Sequence, residues 1–212
     1  MKVIKGLKNM SKSSCVGRPK SFDVDDVLEK ALAVFWAKGY EGTSLTDLTQ
    51  AMGINKPSLY STFGNKEELF IKVVDLYEQR PCGFFRAALA ETTAKTMVAA
   101  MLNGAAQSFT DHSNPQGCMI IQSALTGSDA SESVKQALIN RRLEHQNDLK
   151  KRFEVALQQG DLTTDYSADV LAQYLATIIQ GMTIQATNGI TAAELQCVAD
   201  LALSHFPGLE RN

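Results

Sequence analysis

One stretch of the chain, residues 53–70 with the sequence GINKPSLYSTFGNKEELF, carries polar side chains at a spacing suited to contacts with nucleic acid. Lys56 can reach a guanine edge or a phosphate, and Tyr60 can donate its hydroxyl to a phosphate. No acidic residue lies between Lys56 and Asn65, so this surface does not repel a phosphate backbone. The side chains that we predict to face DNA here are Lys56, Pro57, Ser58, Tyr60, Ser61, Thr62 and Lys66.

A helix-turn-helix would position these side chains. Gly53 breaks one helix, and Asn55 can cap the next. Leu59 and Phe63 lie one turn apart, so the short second helix has a buried side and leaves its polar side free. Residues 44–52 supply the helix before the turn. Thr43, Ser44 and Thr46, at the start of that first helix, are three further predicted DNA contacts.

Two runs carry a resemblance to a known family. The run TSLTDLTQAMGINKPSLYSTFGNKEELF, together with the amphipathic VDDVLEKALAVFWAKGYEGTS before it, resembles the DNA-binding domain of the TetR family of bacterial transcriptional regulators. The resemblance is close over about residues 22–75 and consistent in layout over the rest. It implies an all-helical homodimer whose N-terminal domains bind a palindromic double-stranded operator and whose larger C-terminal domains bind an effector. It also implies DNA contacts at the matching positions and favours a repressor over an activator.

The N-terminal arm is the second candidate for DNA contact. Residues 1–20 hold six Lys or Arg and no acid, whereas the whole chain has a net charge of −2. Within the GRPK sequence, Arg18 and Lys20 can enter a minor groove, as basic arms do in homeodomains. The alternative is a solvated basic tail with nonspecific attraction only.

Helical periodicity extends along nearly the whole chain, and alternating strand patterns are absent. We therefore predict an all-α protein of about nine helices, with an arm at 1–21, a DNA-binding domain at 22–66 and an effector-binding and dimerisation domain at 67–212. The predicted helices include one at about 23–38 and one long helix at about 84–110. Asp165 is the predicted cap of the helix that follows it.

The last two predicted helices carry more apolar surface than one helix pair needs, which indicates a dimer interface, although ordinary core packing would explain part of each stripe. The predicted interface consists of Leu171, Leu175, Ile178, Ile179, Leu195, Val198, Leu201 and Ala202.

An effector pocket would lie among the middle helices, because Met and aromatic side chains form adaptable apolar cavities. Its predicted lining is Met101, Phe109, Cys118, Met119, Tyr174 and Met182, for an effector that the sequence does not identify. Cys118 starts a helix, whose dipole can lower the pKa of the thiol. A regulator that responds to thiol chemistry or to metal through Cys118 is therefore one alternative. A small buried cysteine without such a role is another.

Catalysis, membrane insertion and secretion are not indicated. The three histidines, His112, His145 and His205, form no nucleophile, metal or acid–base pattern, and no phosphate-binding glycine loop is present. No apolar run is long enough to span a bilayer, and the basic N-terminus lacks an apolar signal segment. We predict a cytoplasmic regulator that is not an enzyme and needs no cofactor or metal. The remaining alternative is a family member that acts through a protein partner.

Overall fold

The computed structural model describes residues 22–80, 82–125 and 132–209. These residues form an all-α fold without strands, as predicted. The helices are α1 (Val24–Gly42), α2 (Leu45–Met52), α3 (Lys56–Phe63), α4 (Lys66–Gln79), α5 (Gly83–Leu89), α6 (Ala94–Phe109), α7 (Met119–Leu125), α8 (Glu132–Gln159), α9 (Ala168–Thr187) and α10 (Ala192–Ser204).

Reciprocal capping boxes fix where several helices begin. At α4 the Asn65 amide oxygen accepts from the Glu68 backbone N–H at 2.8 Å, and the Glu68 carboxylate accepts from the Asn65 backbone N–H at 2.8 Å. Thr191 and Glu194 form the same arrangement at α10. Such caps satisfy backbone donors that a helix leaves unpaired, and each contributes about 1 kcal/mol.

Helix α1 continues to Gly42, past an interruption at Gly39 where the predicted helix ends, and two other boundaries also differ from the sequence predictions. The predicted helix at 84–110 is two helices, because Thr93 caps a new start in a box with Thr96 after the chain turns at 90–93. Ser167, not Asp165, caps α9, where its hydroxyl accepts from the Val170 N–H at 3.3 Å. In both places two or more residues able to cap lie close together, and only the path of the chain decides which one is used.

An aromatic core joins α1 to α4. Phe35 meets Phe70 edge to face with ring centroids 5.0 Å apart, and Trp36 meets Tyr77 in the same way at 4.9 Å. All four side chains are buried. Edge-to-face pairs add about 0.5–1.5 kcal/mol each to the burial of their area. The first and fourth helices are therefore held firmly together, with α2 packed against α1.

The larger C-terminal part surrounds α6, which packs against α5, α9 and α10, while α8 packs along α9. Helix α7 contacts both α8 and α1, and α4 contacts α5 and α8. These two sets of contacts connect the N-terminal helices to the C-terminal ones. None of the described helices is long and apolar enough to cross a membrane.

Candidate nucleic-acid interface

Helix α3 presents a polar face because its apolar side is fixed inside the domain. Leu59 and Phe63 are buried, while Lys56 and Ser61 are exposed and the Tyr60 side chain is 49% exposed. The remaining predicted contacts of this helix follow the same division, since Pro57 is exposed and Ser58 and Thr62 are half-buried.

The turn before α3 sets the angle at which this face projects. Gly53 ends α2 with φ 67° and ψ 26°, a left-handed conformation that other residues rarely adopt. Asn55 then caps α3, its side-chain oxygen accepting from the Ser58 N–H at 2.8 Å. Leu48 and Met52 anchor α2 in the core. The predicted helix-turn-helix is therefore present, with α3 as the helix available for a DNA groove.

Around the start of α2, two of the predicted DNA contacts have exposed side chains and one is buried. Ser44 and Thr46 are exposed at the start of α2, although the Ser44 hydroxyl also donates to the Asp47 carboxylate at 2.6 Å. Thr43, in contrast, is buried, and its hydroxyl donates to the Gly39 carbonyl at 2.7 Å. The prediction that Thr43 contacts DNA is therefore wrong, because its side chain is bonded to the end of α1 and does not reach the DNA-facing surface.

The Lys66 side chain already makes a contact within the protein. Its ammonium lies 4.2 Å from the centroid of the Tyr40 ring, a cation–π contact. Burial lowers the pKa of Lys66, while the nearby Glu41 acts in the opposite direction. The ammonium thus stands at the first residue of α4, half-buried, where the helix N-terminus also favours a phosphate. Arg18 and Lys20 lie outside the described residues.

The ion pair of one acidic side chain near this surface was not predicted from the sequence. Asp47, on α2, accepts a hydrogen bond from the Lys38 ammonium at 2.5 Å. That bond, followed by the bonds from Ser44, holds the pKa of Asp47 well below its usual range. The ion pair offsets the negative charge that Asp47 would otherwise present to a phosphate backbone.

A cavity lies between α5, α7, α8 and α9, with Phe109 of α6 on its wall. Two of the predicted effector residues, Phe109 and Cys118, line it. Tyr174 instead stands 40% exposed on α9, its ring 5.6 Å from that of Phe206. The three predicted methionines, Met101, Met119 and Met182, are buried core residues that do not line the cavity. The structure thus brings two of the six residues together.

The Cys118 thiol is less acidic than its position at a helix start suggests. Burial raises the pKa of Cys118, and this outweighs the neighbouring Tyr77 hydroxyl and the α7 backbone N–H groups of Ile120 and Ile121, which lower it. The prediction of a lowered thiol pKa is therefore wrong. Cys82 lines the same cavity, and burial raises the pKa of its thiol as well. No group of three His, Cys, Asp or Glu able to hold a metal occurs in the described part of the chain.

Part of the predicted dimer face packs in the core of the protomer. Leu171, Leu175 and Leu195 are fully buried and leave a partner no surface, so the structure assigns them to the core of one chain. Val198 and Leu201 are exposed, and Ile178, Ile179 and Ala202 are half-buried. Sequence spacing missed two exposed apolar side chains on α9, Val170 and Ile184.

An ionic network between α4 and α8, centred on the buried Glu78 carboxylate, was also not predicted from the sequence. Arg141 of α8 binds Asp75 and donates to Glu78 at 3.0 Å, and His145 Nε2 lies 3.0 Å from the other Glu78 oxygen. Nearby, Trp36 Nε1 donates to the Gly117 carbonyl at 3.2 Å, joining α1 to the residue before Cys118. These contacts connect the cavity wall to the helices that support α3.

Comparison with known proteins agrees with this geometry. The model for "Bacterial regulatory proteins, tetR family" matches residues 27–73, and the model for "Tetracyclin repressor-like, C-terminal domain" matches residues 94–195. The HTH-type transcriptional repressor ComR of Escherichia coli K12 is 35% identical over 195 residues, which are 91% of this chain and 93% of ComR.

Solved structures include one of the TetR family transcriptional regulator CifR, as a cysteine mutant complexed with 26-bp double-strand operator DNA. It is 37% identical with a TM-score of 0.84, covering 90% of this chain and all of that one. A putative TetR regulator from Rhodococcus sp. RHA1 is 36% identical with a TM-score of 0.61, covering 86% of this chain and 98% of the other. The helix-turn-helix, the all-helical architecture and these matches together show that the chain belongs to the tetR family of bacterial regulatory proteins, which are DNA-binding transcriptional regulators and not enzymes.

Proposed function

We propose that this protein is a cytoplasmic repressor that binds a palindromic operator as a homodimer and releases it when a small molecule occupies the C-terminal cavity. The observation that carries the proposal is the exposed, acid-free polar face of α3, backed by buried Leu59 and Phe63. Relatives named as repressors, and a relative solved on operator DNA, support it.

Dimerisation is needed because a single α3 contacts too few bases for useful specificity. Two α3 helices in a two-fold dimer would enter successive major grooves about 34–36 Å apart. The exposed apolar side chains of α9 and α10, including Val198 and Leu201, supply a surface that association would remove from water. Because both helices contribute, a symmetric pairing would form a four-helix arrangement.

Release follows if the effector binds better to a form in which the two α3 helices are wrongly spaced. A ligand shifts such an equilibrium only by its difference in affinity for the two forms, and a tenfold difference corresponds to about 1.4 kcal/mol. The Trp36–Gly117 bond and the Glu78 network join the cavity wall to α1 and α4, so they are the contacts through which occupancy would move the DNA-binding helices.

Selection of duplexes from a random library by the purified protein, at near-physiological salt, tests the proposal. We expect enrichment of a palindrome whose half-sites lie about one helical turn apart. The absence of any enriched sequence, in protein shown to be free of bound small molecules, would contradict operator binding and favour a role through a protein partner.

A regulator responding to thiol chemistry is the second candidate, favoured by the presence of Cys82 and Cys118 in one cavity. The raised thiol pKa values oppose rapid thiolate reactions. Treatment with a small electrophile, followed by mass spectrometry and operator binding, distinguishes the two candidates. Loss of operator binding that Cys118→Ser prevents would support this second candidate.

A further inference from the structure

The polar residues that line the cavity come from α8 and α9 only and include no carboxylate. They are Arg142, His145, Gln146 and Gln180. The walls on the side of α5, α6 and α7 consist of apolar side chains and two thiols, from Cys82, Phe84, Phe85, Phe109, Cys118 and Ile120. The cavity has a volume of about 60 Å³ and opens to solvent. Its lining thus offers an apolar compartment with hydrogen-bond donors on one side.

Arg142 is the unusual member of this lining. It is half-buried, and no hydrogen-bond or ion-pair partner for its guanidinium occurs among the described residues. The preceding residue on the same helix, Arg141, binds two carboxylates, and Arg152 donates to the Glu91 and Thr92 carbonyls at 2.9 Å. Arg142 lines the cavity without such a partner, and a guanidinium that leaves water for apolar surroundings needs an anion to compensate its charge.

We propose that the cavity binds a small amphiphile, an apolar body carrying one carboxylate, with Arg142 as the residue that selects the carboxylate. The proposal rests on the proposed function, since this ligand would be the effector. A guanidinium matches the two oxygens of a planar carboxylate with two parallel hydrogen bonds. The side-chain amides of Gln146 and Gln180 add donors beside it, while the phenylalanine side chains enclose the apolar body.

His145 connects the cavity that would hold this ligand to the DNA-binding helices. Its ring lines the cavity and stacks on Phe85 with centroids 4.4 Å apart, while its Nε2 lies 3.0 Å from a Glu78 oxygen. Glu78 belongs to α4, which packs against α1 of the DNA-binding domain. A ligand carboxylate within reach of His145 competes with Glu78 for it. Ligand binding is therefore linked to the contact between His145 of α8 and Glu78 of α4.

The chain contains a reporter for this event that does not depend on DNA. Trp36 is the only tryptophan, and its indole N–H donates to the carbonyl of Gly117, next to Cys118 in the cavity wall. Occupation of the cavity that displaces this wall changes the environment of Trp36, so intrinsic fluorescence follows binding directly.

The test titrates the purified protein with carboxylates and with neutral amides that have the same apolar body: octanoate against octanamide, and 3-phenylpropanoate against 3-phenylpropanamide. We expect at least one carboxylate to bind tenfold or more tightly than its amide, by calorimetry and by Trp36 fluorescence. Arg142→Met should remove that difference and leave the amide affinity within about twofold. Arg152→Met, a change of the same type on the same helix, should retain the difference.

Equal affinity of each carboxylate and its amide, undiminished discrimination in Arg142→Met, or no binding of any probe would overturn the proposal. Thermal melting shows that each variant is folded before it is titrated. Operator affinity is measured separately without any probe, so a failure of the carboxylate proposal leaves operator binding intact. A loss of operator binding itself would instead point to failure of the proposed function.

Discussion

Replacing Arg141 with methionine should destabilise the protein far more than neutralising its exposed partner, Asp75. The guanidinium bridges α8 to two acids of α4: Glu78, whose side chain is 7% exposed, and Asp75, whose side chain is 45% exposed. In Arg141→Met the Glu78 carboxylate stays buried with His145 as its one remaining ion-pair partner among the described residues. In Asp75→Asn the guanidinium keeps its buried partner and water replaces the exposed one.

Burial decides the size of the two effects. Breaking one side of a buried ion pair typically costs about 3–5 kcal/mol, and because Arg141 is itself 33% exposed we expect about 2–3 kcal/mol for Arg141→Met. An exposed pair contributes about 0–1 kcal/mol, which sets the limit for Asp75→Asn. Urea unfolding at equal protein concentration and pH 7.5 measures both free energies.

The pH dependence of the same variants provides a second measurement. Burial raises the pKa of Glu78, but the hydrogen bond from His145 and the charge of Arg141 together outweigh it, so the pKa lies below its usual value. A folded-state pKa below the unfolded value of about 4.3 gives stability that is present above that pH and is lost as the pH falls through the folded pKa. Without Arg141 the folded-state pKa of Glu78 rises toward the unfolded value, so the stability difference between Arg141→Met and the parent should shrink as the pH falls through this range. A cost for Arg141→Met no greater than that for Asp75→Asn, or one that stays the same at every pH, would refute the reasoning.

Three further predictions concern α3 and the dimer face. Asn55→Ala removes the acceptor for the Ser58 N–H and should cost about 1 kcal/mol in urea unfolding, whereas Asn55→Ser should restore most of it; equal stability of all three proteins would contradict the cap. Lys56→Ala should flatten the dependence of log affinity on log salt by about 0.9 for each phosphate that the lysine neutralises, or about 1.8 for a dimer, as measured by fluorescence anisotropy on the selected duplex; an unchanged slope would exclude a phosphate contact. Leu201→Asp places a charge on the α10 surface where Leu201 is 63% exposed, and sedimentation should show monomers at concentrations where the parent protein is a dimer; a persistent dimer would place the interface elsewhere.

Local signals in the sequence were sufficient for the helix-turn-helix. The left-handed turn at Gly53, the cap at Asn55 and the one-turn spacing of Leu59 and Phe63 each depend on residues within one or two turns of one another. The face that α3 turns outward then follows from which of its residues are apolar. The capping boxes at α4 and α10 are equally local, because each is formed by two residues three positions apart.

Features that depend on distant contacts were not predictable in the same way. Thr43 resembles an exposed helix-start residue, but the interruption of α1 at Gly39 turns it inward to the Gly39 carbonyl. The Glu78 network joins residues more than sixty positions apart, so no spacing reveals it. An apolar stripe on a helix does not tell whether a neighbour in the same chain or in a partner covers it. Leu171 and Val170 show this, because they are adjacent on α9 and yet one is buried and the other exposed.

The contribution of the exposed face of α3 to operator binding is the central claim, and one comparison tests it directly. The affinity of the selected duplex is measured for the parent protein, for Lys56→Ala/Tyr60→Ala, and for Lys135→Ala/Tyr166→Ala, a control with the same residue types exposed in the C-terminal part. We expect the α3 variant to lose at least a hundredfold in affinity while melting like the parent, and the control to bind within about twofold of the parent. Equal affinity of the two double variants, with both folded, would contradict the assignment of α3 as the DNA-binding helix.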